Sequence, residues 1–147
     1  MMFEQEKPEI VLDVKNFTFE LKSNGFYISI KPLFMPTHSS IDDLLFVWCY
    51  HVMIENIGLK PCKIVNRYWK ITDGNAKICE VNGEGVGGEQ PLINPGDLYE
   101  YTSAVPLSTP SGFMQGHYIM ETEDGSQFEL PIPTFSLDSP HAHLSIQ

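Results

Sequence analysis

The chain has 147 residues, enough for one domain with a sizeable core, and 42% hydrophobic and 12% aromatic content against 19% charged excludes a disordered tail. Nineteen acids against nine bases give a formal charge of −10, so the field of the folded domain repels polyphosphate backbones and a nucleic-acid polymer is not an expected partner. Met1 to Pro8 lacks the basic and apolar regions of a signal peptide, and no run approaches the roughly 20 apolar residues that span a bilayer, so the expected location is the cytoplasm, away from membrane.

Met1 to Lys15 reads as a loosely held arm. Asn16 to Leu21 and Phe26 to Met35 are strand-like, separated by Ser23-Asn24-Gly25, in which Asn-Gly tolerates the positive φ of a hairpin turn. Ser40 and Asp43 have the spacing of a helix capping box, which makes a short helix the alternative for the segment that follows. Leu44 to Ile54 is nevertheless predicted as a strand, because Phe46, Val47, Trp48, Tyr50 and Val52 are strand formers and no polar helical face accompanies them.

Lys63 to Thr72 and Ala76 to Val81 flank the turn Asp73-Gly74-Asn75. Leu98 to Val105 follows Asn94-Pro95-Gly96-Asp97, Phe113 to Thr122 follows Thr109-Pro110-Ser111-Gly112, and Gln127 to Phe135 follows Glu123-Asp124-Gly125. Short strands at this spacing predict an all-β sandwich or barrel with about seven to eight strands, over residues 16–137, leaving 138–147 as a flexible tail. Alternation points Tyr50, Val52 and Ile54, then Val65, Trp69 and Ile71, then Phe128, Leu130 and Ile132 toward the inter-sheet core.

Cys49, Cys62 and Cys79 are odd in number and not closely paired, which suits reduced, mostly buried thiols. Cys49 and His51 share a strand face, and His141 and His143 lie on one side of the tail, but two ligands do not close a zinc site; neither a metal nor another cofactor is expected. The GxSxG, HExxH and GxxxxGK[ST] signatures are absent, so nothing in the sequence supports catalysis.

Gly83-Glu84-Gly85-Val86-Gly87-Gly88 contains the GxGxxG spacing of dinucleotide loops, yet Glu89-Gln90-Pro91 follows where a helix should open. Two readings remain: glycines that let the chain cross between sheets, or a nest of backbone N–H groups holding a phosphate or carboxylate. Arg67 shares strand parity with Val65, Trp69 and Ile71 and so points coreward, where it needs a partner. Glu89 or Asp73 in a salt bridge, or stacking on Trp69, is the structural expectation; anion recognition is the functional one.

The motifs Arg67-Tyr68-Trp69-Lys70-Ile71-Thr72-Asp73, Gly83 through Pro91, Tyr99-Glu100-Tyr101-Thr102-Ser103, Pro106 through Gly112, Met114-Gln115-Gly116-His117-Tyr118 and Pro131 through Leu137 occur in one order. Through them the chain resembles the bacterial ApaG proteins, whose domain also occurs in some F-box proteins. The resemblance implies a fibronectin type III- or immunoglobulin-like sandwich of two antiparallel sheets, often dimeric. It implies an association with diadenosine polyphosphate hydrolysis through gene neighbourhood and a link to divalent-cation tolerance, but no established reaction. Tyr68 stands where the family usually has His, and Ala104-Val105 where Gly-Cys is common, so any mechanism needing that His or Cys has no basis here.

The expectation is therefore a non-catalytic binding or adaptor domain for a protein partner or a second copy of itself. Its expected contacts are Arg67, Gly83, Gly85, Gly88, Glu89 and Gln90, with Tyr99 to Leu107 beside them. The alternative is a sensor or weak hydrolase of pyrophosphate nucleotides at the glycine segment.

Overall fold

Asn24 and Gly25 both take positive φ, 51° and 82°, and close a two-residue turn between β1 (Phe19–Ser23) and β2 (Phe26–Phe34). The computed structural model describes residues 18–142, and beyond these two it contains β3 (Phe46–Asn56), β4 (Cys62–Asp73), β5 (Ile78–Glu84), β6 (Leu92–Ile93), β7 (Leu98–Leu107), β8 (Ser111–Thr122) and β9 (Gln127–Asp138). A 3-10 turn, Pro36–His38, follows β2.

All pairings are antiparallel. One sheet has the order β1-β2-β3-β7 and the other β5-β4-β8-β9, with β6 pairing the first residues of β4. Without β1 and β6, the first, second and fifth of the remaining strands face the other four, which is the fibronectin type III arrangement. The core lies between the sheets, where Tyr50, Trp69 and Phe135 pack ring to ring at 5.6 to 5.9 Å.

The capping-box residues make their bonds without making a helix. Asp43 N–H donates to Ser40 Oγ (3.3 Å) and that hydroxyl to Asp43 Oδ2 (3.0 Å), while Ser40 and Leu45 exchange both backbone bonds and Leu44 turns at φ 51°. The box closes a loop, and the strand formers from Phe46 onward take over.

A β-bulge between Ile64 and Asn66 corrects the alternation expected for β4. Ile64 joins Trp69 in the core, whereas Val65 is the extra residue, buried to one side with its carbonyl accepting from Gly85 N–H (2.8 Å). Phe128 and Ile71 are only partly covered.

The tail expected from Asp138 is held at its start. Trp48 Nε1 donates to Asp138 O (2.8 Å), Ser139 Oγ to Pro110 O (2.6 Å), and the His141 ring packs on Phe34 and Phe46. The arm 1–15 and residues 143–147 lie outside the described residues.

At the opposite end Asn56 is buried and joins two loops, β3–β4 and β6–β7, to strand β6. Its amide donates to Lys60 O (2.7 Å) and Ile93 O (2.9 Å), its side-chain carbonyl accepts from Gly58 N–H (3.0 Å), and its backbone bonds Asp97 and Gly96. Every donor and acceptor of the residue is used, as burial demands.

Candidate functional site: a groove between two strand edges

β7 ends one sheet and β5 ends the other, both on the same side of the sandwich, so the outer edge of each has no strand partner among the described residues. Between them runs a groove of about 430 Å³. Its floor is Tyr50, Trp69 and Met114, its β7 wall includes Ser103 and Val105, and its β5 wall is Cys79 and Val81. β4 and β5 are in register, so Trp69 stands beside Val81 and Ile71 beside Cys79; both pairs share the inner face.

β5 is uncovered along almost all its length, with Ile78 at 52% exposure and Val81 at 36%. Residues whose inner face would normally meet the opposite sheet instead meet the groove. Cys79 is accordingly exposed, Cys49 half-buried and only Cys62 buried, which corrects the expectation of mostly buried thiols. Burial pushes the Cys62 thiol up, partly offset by Lys60.

Arg67 lies on the inner face at one end of this groove; Asp73 and Lys77 mark the other. Its Nη1 donates to Gly85 O (2.9 Å) and at 3.4 Å to Glu84 O. Neither Glu89 nor Asp73 forms the expected salt bridge, and Trp69 stacks on Tyr50 and Phe135 rather than on the guanidinium. The guanidinium rests against Gly83, where an added Cβ would fall 2.6 to 2.8 Å from it. A glycine inside β5 is thus explained by its neighbour across the strand pair.

Beneath Arg67 sit three phenols. Tyr101 and Tyr118 share a hydrogen bond between their hydroxyls, and Tyr50 packs on Trp69. Burial holds all three above the usual tyrosine range; the Arg67 charge works against that rise in each.

The glycine segment proves to be a tight hairpin folded back on β4. Val86 and Glu89 exchange both backbone bonds (2.7 and 3.0 Å) around Gly87 and Gly88, whose φ of 57° and 83° suit a type I′ turn. Gly85, at φ 58°, passes so close to Glu89 that a Cβ would lie 1.9 Å from its carbonyl oxygen. Val86 is buried in the core, and Gln90 Nε2 donates to Val65 O (3.1 Å). The N–H groups of Gly85, Val86 and Glu89 are thus engaged within the chain, and the chain-shaping role is the one the geometry displays.

Of the residues singled out from sequence, Arg67, Gly83, Gly85 and Gln90 come together around the β4 bulge, while Gly88 sits at the hairpin tip and Glu89 at its base. Tyr99 to Leu107 supplies a groove wall. Trp69, Val81 and Cys79 as a surface were missed, and the signal that could have revealed them was the inward parity of the short, glycine-ended strand Ala76 to Val81 opposite Lys63 to Thr72.

A family model described as the ApaG domain matches residues 36–122. The Protein ApaG of Parvibaculum lavamentivorans is 52% identical over 84% of this chain and 95% of its own length, and that of Agrobacterium fabrum 54% identical over 77% and 87%. A Bordetella pertussis crystal structure bearing the name ApaA is 43% identical, with a TM-score of 0.76 over 78% of this chain and 94% of that one. Among the described residues no helix is long and apolar enough to cross a membrane, and no three His, Cys, Asp or Glu converge as metal ligands.

Proposed function

This chain belongs to the ApaG family, and from that premise we propose that it is a binding module without chemistry of its own, taking an extended segment of a partner protein into the groove between β5 and β7. One observation carries the reading: an apolar floor lies open between two strand edges that lack neighbours among the described residues. An extended segment placed there gains main-chain hydrogen bonds from an edge and buries alternate side chains on Trp69 and Val105. The volume also falls within the range of ligand-binding clefts.

The pyrophosphate reading has weaker support, since three N–H groups of the glycine segment already have acceptors. The three free thiols suit a reducing compartment such as the cytoplasm.

The test is a selection of displayed eight-residue segments on immobilised protein, repeated with Val81→Arg and Ala104→Arg. Both positions are exposed, so the variants should keep the melting temperature within about 2 °C while recovering at least tenfold fewer segments, an order-of-magnitude expectation for a blocked cleft. Equal recovery on folded variants would remove the groove from the function.

A further inference from the structure

We infer that the segment taken by the groove carries a carboxylate and that Arg67 is the side chain that receives it. The inference rests on the groove reading above and adds the chemistry of the occupant. Arg67 stands on the inner face of a central strand, half-buried, in line with Trp69 and Ile71. A guanidinium there needs compensation, because desolvating a charge without a counter-charge is unfavourable.

The protein supplies only part of it. Two backbone carbonyls engage Nη1, and among the described residues no carboxylate lies within 4.0 Å of the guanidinium. Acids are not scarce in a chain with nineteen of them, so the missing partner is not a matter of composition. Tyr50, Tyr101 and Tyr118 do not neutralise it either, since burial keeps those phenols protonated at neutral pH.

The fork has room to receive a ligand. Gly83 presents no side chain, so the guanidinium packs against the β5 backbone; Arg67 lines the end of the groove, and its Nη2 and Nε are left over from the two carbonyl bonds made by Nη1. Planar N–H donors of this kind match a carboxylate. The groove then has direction, with the occupant's acid at the Arg67 end and its apolar residues on Trp69, Val105 and Leu107. The net charge of −10 favours a partner that is basic elsewhere, so one acid in a basic protein would be the distinguishing feature.

The tightest selected octapeptide is synthesised with each Asp or Glu in turn changed to Asn or Gln, and affinity is read by fluorescence polarisation on wild type, Arg67→Met and Gly83→Ala. One acid-to-amide change should weaken binding to wild type by about tenfold or more and leave binding to Arg67→Met unchanged. A purely structural Arg67 would weaken both peptides alike and leave no such coupling. Gly83→Ala, which pushes the guanidinium aside while keeping its charge, should lose part of the same coupling and covers the case in which Arg67→Met fails to fold. Equal losses on both proteins, or octapeptides that bind without any acid, overturn the carboxylate while leaving the groove. Binding that survives Val81→Arg, or no binding at all, overturns the groove and the inference with it.

Discussion

The two open sides of the sandwich face the same problem and solve it differently. On one side β1 and β9 meet: the Phe19 and Phe135 rings lie 6.2 Å apart, Phe26 and Phe128 6.4 Å, and Leu130, Phe135 and Leu137 are fully buried. On the other, β5 and β7 stand apart over a groove, and β5 is almost wholly exposed. Phe19 from the five-residue β1 and Phe26 from β2 both reach β9 across the first gap, and no comparable ring projects from β5. Rings from two strands seal one seam, and the lack of any on β5 leaves the other accessible.

The contrast is sharpest in stability. Phe135→Ala should destabilise by about 3–5 kcal/mol in urea unfolding, through lost burial and the cavity left among Tyr50 and Trp69. Val81→Ala should stay within about 0.5 kcal/mol. Similar losses for the two would mean that β5 is buried in solution and that the sides do not differ.

The accessible side is nevertheless anchored at one end. Gly85→Ala meets both a left-handed backbone and the Glu89 carbonyl, and should cost roughly 1–3 kcal/mol. Gly88→Asn, with open space around it, should change stability by less than about 0.5 kcal/mol. Equal effects would show that the hairpin does not grip the bulge.

Alkaline titration probes the floor. Tyr50, Tyr101 and Tyr118 have folded values above the free phenol, so the stability they contribute is fully present below about pH 10 and is lost as pH rises through the folded values. Absorbance at 295 nm should therefore show Tyr101 and Tyr118 ionising together with unfolding, after the half-buried Tyr27 and Tyr68. One shared early step would mean that water reaches the phenols through the groove.

The strands were legible because turn chemistry and alternation agree along most of the chain. Phe26 to Met35 and Gln127 to Phe135 match β2 and β9 to within three residues at either end. β5 runs past its expected end at Val81 because Gly83 reads as a turn residue, and its use beside Arg67 depends on a strand paired sixteen positions away. β6 has two residues, too few for any period. The inward direction of Arg67 could be read from parity, but its partners could not: both are backbone carbonyls, invisible in side-chain identity. The groove arises from which edges face each other, a property of the assembled sheets rather than of any segment.

Asn56 has a consequence for motion. The Ile57 amide is tied to Gly25, Gly58 to the Asn56 side chain and Gly96 to the Asn56 carbonyl, so the β1–β2, β3–β4 and β6–β7 connections meet at the adjacent pair Asn56 and Ile57. None can open far without breaking bonds that steady the others. Hydrogen exchange at that end should proceed as one cooperative unit, three loops sharing a single protection factor.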